Sequence, residues 1–186
     1  MEIIDTGFEG LLLVKPKIYA DNRGYFFESY NLHVLLAKGL QVNFVQDNQS
    51  ESVYGVIRGL HYQIEPHAQT KLVRVLNGRI FDIAVDLRKG SPNFGKWYGV
   101  EISGTNKYQL FIPKGFAHGF SVLSKKALVL YKTDNYYEPR SERGILYNDA
   151  ELKIDWRLDP HVTVVSDRDQ NLPFFQDAEM NFIYRP

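Results

Sequence analysis

The sequence predicts an all-β protein, an antiparallel jelly-roll barrel with a few short helices, from three observations. Short runs rich in β-branched and aromatic residues recur along the chain, each closed by Gly, Pro, Asn or Asp. Aromatic residues make up 14% of the 186, with 12 Tyr and 12 Phe, an excess that suits pleated surfaces. Helical spacing is confined to Leu32–Lys38, stopped by Gly39, and to a weaker stretch over Asn148–Leu152. Many strands joined by turns, with little helix to cover an open sheet, require a closed barrel or a sandwich.

Taken in chain order, the apolar segment Leu11–Val14 reads as an edge strand open to exchange with a second copy. Leu72–Leu76 and Ile80–Leu87 flank Asn77-Gly78, a dipeptide that predicts a hairpin. In the second of these strands Phe81, Ile83, Val85 and Leu87 share one face. Val100–Ser103, Gln109–Ile112, Phe116–Leu123 and Leu128–Thr133 continue the pattern. No repeat or linker divides the chain, and its length suits one domain over residues 1–186.

Composition removes several function classes. The 22 basic and 22 acidic residues cancel, which speaks against a nucleic acid polymer or an anionic membrane as partner. Without cysteine there is no disulfide, no thiolate nucleophile and no Cys-ligated metal. No apolar run approaches the ~20 residues of a membrane helix, and the first residues lack the pattern of a signal peptide. The expectation is a soluble cytoplasmic protein.

The chemistry-bearing residues fall in a few short strings. Val56-Ile-Arg-Gly-Leu-His-Tyr-Gln63 sets Arg58 and His61 in an apolar strand. Residues three apart face opposite sides of a regular strand, but a bulge at Gly59 would turn both inward. His61 is then either a general base or a structural histidine, and Arg58 a cavity or a surface residue. Lys71 shares a face with Val73 and Val75, so it either snorkels to solvent or offers a fixed charge inside a pocket. Tyr131 alternates with Val129 and serves either as core or as a proton donor. Asn135-Tyr-Tyr137 offers a ring that can stack on a base. Arg23, Arg58, Lys71 and His118 together would make a basic lining for a diphosphate, although Asp21-Asn-Arg-Gly24 is a turn whose arginine can equally stay solvated.

Ile112-Pro-Lys-Gly-Phe-Ala-His-Gly-Phe120 carries a Pro-x-Gly-x-x-His turn that resembles the second metal motif of cupins. The first motif should supply His-x-His, and this chain has His61-Tyr62-Gln63. His67 stands beside a proline at the wrong spacing, so the three ligands a metal site needs are not assembled and no metal is expected.

Read together, the strings resemble the dTDP-4-dehydrorhamnose 3,5-epimerase family. They are Phe44-Val-Gln-Asp-Asn48, Arg58-Gly-Leu-His-Tyr-Gln63, Lys71-Leu-Val-Arg-Val75, Phe81-Asp-Ile-Ala-Val-Asp-Leu-Arg88 and Gly90-Ser-Pro-Asn-Phe-Gly95. The Pro-x-Gly-x-x-His string, Leu130-Tyr-Lys132, Asn135-Tyr-Tyr137 and Ile154-Asp-Trp156 follow in the same order. The resemblance runs from about Gly10 to Asp169, and the tail after Asn171 matches poorly.

The resemblance implies a cupin-like jelly-roll homodimer with no cofactor. It implies His61 as base, Asp169 as the carboxylate that orients it, Tyr131 as acid and Lys71 as stabiliser of the enolate oxygen. It carries substrate binding to Arg23, Glu28, Gln46, Asn48, Arg58, Lys71, His118, Glu142 and Arg168, with Arg23 and Glu28 reaching the neighbour's site. Tyr137 adds the stacking ring. Two departures are Arg168, where the family has Lys, and Gln49, where a His is common. The implied substrate is a dTDP-4-keto-6-deoxy sugar, inverted at C3 and C5 without net electron transfer, on the way to dTDP-L-rhamnose. The rival readings are a 3- or 5-mono-epimerase, a metal-dependent cupin and a non-catalytic sugar-nucleotide-binding cupin.

Overall fold

The computed structural model describes residues 1–185; Pro186, the last position of the expected domain, lies outside them. The chain opens with β1 (Glu2–Asp5), β2 (Leu12–Lys15), β3 (Tyr19–Asp21), β4 (Gly24–Phe26) and α1 (Leu32–Ala37). There follow β5 (Gln46–Val53), β6 (Ile57–Gln63), β7 (Lys71–Asn77), β8 (Arg79–Asp86), β9 (Trp97–Ser103) and β10 (Gln109–Ile112). The last strands are β11 (Phe116–Val122), β12 (Lys126–Thr133) and β13 (Glu142–Gly144), and α2 (Asp167–Gln170) comes after them.

The strands form two facing antiparallel sheets, ordered β1-β2-β10-β7-β12-β5 and β13-β6-β11-β8-β9, with β3-β4 as a separate arm. This is the expected jelly roll. Alternation explains the packing. Val73, Val75, Leu110, Ile112, Ala127 and Val129 of the first sheet meet Ile80, Ala84, Ile102, Phe116, Phe120 and Val122 of the second. Phe81, Ile83, Val85 and Leu87 do share a face, but it is the outer face of the second sheet. There the C-terminal segment covers them with Trp156, Phe175 and Phe182. Helix α1, capped by the Asn31 side chain, buries Leu35 with Val14, Val42, Leu72 and Phe111 on the outside of the first sheet.

Three expectations need correction. Asn77-Gly78 is not a hairpin turn: β7 pairs with β10 and β12, while β8 pairs with β11 and β9. Gly78, at φ 82°, is the corner where the chain crosses between sheets, and a Cβ there would meet Lys126 O at 2.0 Å. The dipeptide encodes a sharp reversal in left-handed backbone, which serves a sheet corner as well as a hairpin. Asn148–Leu152 is a turn, because the Asp149 carboxylate accepts the Glu151 and Leu152 amides and so diverts the local backbone from helix. Leu11–Val14 is not an edge: β2 lies between β1 and β10 of the same chain, and Leu11 and Val14 are buried.

The feature that most shapes the site is a bulge in β6. His118 pairs with His61 and Phe120 with Arg58, so three steps on β6 oppose two on β11. Gly59 absorbs the extra residue at φ 124°, where a Cβ would lie 2.6 Å from Gly119 Cα and 2.8 Å from His118 O. Both obstacles are backbone and cannot yield. Gly59→Ala is therefore expected to cost about 2 kcal/mol or more, read as a lower midpoint in chemical denaturation; an unchanged midpoint would show that β6 relaxes freely there.

Candidate active site

Between the sheets lies a cavity of about 300 Å³ lined by Asn48, Ser50, Arg58, His61, Lys71, His118, Phe120, Tyr131, Tyr137 and Glu142, among others. Strand parity delivers most of them. Lys71 follows Val73 and Val75 on the inner face of β7, Tyr131 follows Ala127 and Val129 on β12, and His118 lies with Phe120 and Val122 on β11. The bulge at Gly59 adds both Arg58 and His61.

His61 Nε2 lies 2.8 Å from Asp169 Oδ1. The second carboxylate oxygen of Asp169 accepts the Gly59 amide at 3.1 Å, and the Asp169 amide donates to Ser166 Oγ, which caps α2. Burial works to raise Asp169, but the hydrogen bond to His61 and the positive potential around it prevail and hold the carboxyl below its usual range. An ionised Asp169 accepts the Nε2 proton and leaves Nδ1 as the basic nitrogen of His61. On the other sheet, burial pushes the Tyr131 phenol up, so it stays protonated at neutral pH. Base and phenol belong to different sheets and line one cavity.

Lys71 does not snorkel. It lines the cavity with its ammonium over the Tyr131 ring, 5.9 Å from the centroid. Desolvation lowers its pKa to about 8, with Asp82 and Glu142 opposing the change. Arg58 is anchored by Nε donating to Ser52 Oγ at 2.9 Å. At the mouth, the Tyr137 hydroxyl donates to Glu142 Oε2 at 2.5 Å and Arg168 pairs with the same oxygen at 2.6 Å. Burial would raise Glu142, but those two donors hold it below the usual carboxylate range. Gln46 donates to Asn48 Oδ1 at 2.8 Å and accepts the Tyr137 amide at 3.2 Å, which ties these positions into one wall.

Not every expected residue gathers here. Arg23 sits on the β3–β4 arm, fully solvated and paired with Asp21 at 2.6 Å, and Glu28 accepts from Asn31; neither lines this cavity. His118 does line the cavity, but not as a cation: its Nε2 lies 2.7 Å from Asp82 Oδ1, and burial lowers its pKa. Asp82 was not apparent from the sequence. Its signal is the alternation in Phe81-Asp-Ile-Ala-Val-Asp86, where the acids fall opposite the Phe81 face and so imitate a solvated one.

Gln63 stands where a second cupin ligand would be. Its amide donates to the His67 and Tyr136 carbonyls and accepts the Glu138 amide, so it is engaged with the adjoining loops. Among the described residues no group of three or more His, Cys, Asp or Glu is arranged to hold a metal.

A jelly roll with a histidine–aspartate pair and a buried phenol in one cavity is the framework of an acid–base enzyme. The chain belongs to the dTDP-4-dehydrorhamnose 3,5-epimerase family, whose family model matches residues 5–177. It is 52% identical over 180 residues to a dTDP-4-dehydrorhamnose 3,5-epimerase of Shigella flexneri, covering 96% of this chain and 98% of that one. The crystal structure of the enzyme of that name from Elizabethkingia anophelis superposes with a TM-score of 0.91 at 48% identity, covering 95% of this chain and 97% of that one. A dTDP-6-deoxy-D-glucose-3,5-epimerase from Legionella pneumophila, solved with dTDP-4-keto-L-rhamnose, gives 0.90 at 48% identity, covering 95% and 93%.

The lowered Lys71 pKa has two consequences of opposite sign. Between about 8 and the ordinary 10.5, the unfolded chain holds a proton that the folded chain has released. Stability from this group therefore rises with pH across that window, while the cation in the cavity is lost. Wild type is expected to gain unfolding free energy relative to Lys71→Met between pH 7.5 and pH 10, and turnover to fall with an apparent pKa of about 8. Parallel stability curves for the two proteins would contradict the first, and turnover undiminished at pH 10 the second.

Proposed function

We propose that this protein inverts C3 and C5 of dTDP-4-dehydro-6-deoxy-D-glucose to give dTDP-4-dehydro-L-rhamnose in dTDP-L-rhamnose biosynthesis. The observation that carries the reading is His61, backed by Asp169, sharing one cavity with the protonated Tyr131 of the opposite sheet. The C4 ketone acidifies the protons on C3 and C5. His61 Nδ1 takes one of them, and its Nε2 proton stays on the hydrogen bond to Asp169. The electron pair moves onto O4, where the Lys71 ammonium stabilises the enolate. Tyr131 returns a proton to the other face of the same carbon, which inverts it. The imidazolium and the phenolate then exchange protons with solvent, and the cycle repeats at the second carbon. Electrons balance without a redox cofactor.

Arg58, Asn48, Gln46, His118, Glu142 and Arg168 would hold the nucleotide sugar, with Tyr137 stacking on the base. Tyr137 is half exposed at the mouth, with its hydroxyl tethered by Glu142, as a stacking platform requires. We place the whole activity in one domain and in a homodimer, working in the cytoplasm. No helix among the described residues is long and apolar enough to cross a membrane. The β3–β4 arm supports the dimer: Tyr19, Tyr25 and Phe26 are 54%, 59% and 67% exposed, a cost that a partner subunit would remove. Arg23 and Glu28 would reach the neighbouring cavity from that region.

Sedimentation velocity should show a dimer at working concentration, and an active monomer would refute this part of the reading. The chemistry is tested by NMR in deuterated water. His61→Asn should reduce exchange at both C3 and C5 by ~10²–10⁴-fold. Tyr131→Phe should keep exchange and lose inversion, since it removes the donor and leaves the base. Equal loss of exchange in both variants, or exchange surviving at one carbon in His61→Asn, would break the assignment of a single base opposite a phenol.

A further inference from the structure

Asp82 is fully buried on the inner face of β8, opposite Phe120 of β11 and Val100 of β9. Its Oδ1 lies 2.7 Å from His118 Nε2, while Oδ2 is buried without a hydrogen-bond partner. A carboxylate in such a place is costly unless a nearby positive charge holds it. Lys71, which lines the cavity beside His118, is that charge. The mechanism above gives Asp82 no task.

We propose that Asp82 is a positioning residue that fixes His118 as the Nε2–H tautomer, so that His118 presents Nδ1 to the cavity as an acceptor for a hydroxyl of the sugar ring. Burial lowers the His118 pKa against the opposing pull of Asp82, and Lys71 and His61 lower it further, so the ring is neutral at pH 7. A neutral imidazole whose Nε2 lies 2.7 Å from a carboxylate oxygen gives that oxygen the N–H and keeps the other nitrogen as a lone pair. No hydrogen bond to Nδ1 is present among the described residues, which leaves that lone pair for a ligand. An acceptor cannot stabilise an enolate, so the division of labour is sharp: Lys71 donates to O4 and His118 reads a hydroxyl.

The same carboxylate supports the charge on Lys71. The charged or titratable groups around that ammonium are Asp82 on β8, Glu142 on β13, His118 on β11, Tyr131 on β12, and Arg58 and His61 on β6. Asp82 is the first of the two carboxylates that keep Lys71 protonated, so removing its charge should cost Lys71 part of its proton affinity.

The test has two arms. Long-range ¹H–¹⁵N spectra of ¹⁵N-histidine wild type, with His118 assigned by its loss in His118→Gln, should show the Nε2–H tautomer at pH 7. Asp82→Asn should then lower kcat roughly 10- to 100-fold, by analogy with the carboxylates that orient metal-bound histidines, and move the alkaline limb to lower pH. A purely structural role would move no limb. An Nδ1–H or doubly protonated His118 in wild type would overturn the proposal, as would Asp82→Asn with wild-type kcat and limb. Should Asp82→Asn fail to fold, the wild-type tautomer decides alone. The kinetic arm rests on the epimerase reading, whereas the tautomer does not, so a wild type without epimerase activity would sink that reading and leave the tautomer to stand or fall separately.

Discussion

Strand β6 meets β11 backbone to backbone at Gly59, closer than any side chain permits, and the geometry of the site depends on that contact. The bulge places Arg58 and His61, three apart in sequence, on one cavity. It also turns the Gly59 amide out of the ladder toward Asp169 Oδ2. The carboxylate that orients His61 is thus fixed through β6 itself, from a position 108 residues away in sequence. A regular strand would present either the arginine or the histidine to the cavity, but not both.

Around that strand the charges are arranged in depth. Each histidine of the cavity has a carboxylate behind it, Asp169 for His61 and Asp82 for His118, and the two rings are cross-strand neighbours. The difference lies in hydrogen bonding. Both oxygens of Asp169 are paired, one with His61 and the other with the Gly59 amide, while Asp82 has one oxygen without a partner. A satisfied carboxylate suits a base that must gain and lose a proton in each cycle. A dry carboxylate beside Lys71 suits a ring that must stay in one tautomer. Two pairs of the same composition can therefore take different roles because of what surrounds them.

Much of this was legible in the sequence. Alternation identified the strands and the shared face of Phe81, Ile83, Val85 and Leu87, and the strings around His61, Lys71, Tyr131 and Asp169 pointed to residues that line or support one cavity. The failures have a common physical origin. Asn77-Gly78 encodes a reversal of the chain, and whether the strands then pair depends on which sheet receives each. Asp82 looks solvated because period two reports two faces without saying which is outside. In a jelly roll whose second sheet is covered on its far side by the C-terminal segment, both faces are buried. The pocketed Lys71 was the reverse case: its apolar neighbours fitted either fate, and only the closure of the sheets decided between them.

The C-terminal tail braces the same strand, β6. The outer face of β6 carries Tyr62, whose hydroxyl donates to the Glu179 carbonyl, while Arg143 on the paired strand β13 binds the Glu179 carboxylate at 2.6 Å. Asn181 exchanges two hydrogen bonds with the Glu65 backbone just beyond β6, and Leu172 packs where any Cβ at Gly144 would collide. These contacts press on β6 and β13 from behind, opposite the cavity that His61 and Glu142 line. A bulged strand gives up ladder hydrogen bonds and bends more easily than a regular one. Bracing from the tail offsets that softness and holds His61 at the cavity. The tail and the Arg-Gly-Leu-His string therefore serve one requirement, since backbone contacts and buried apolar area can brace a strand in many sequences, whereas few residues can occupy the bulge.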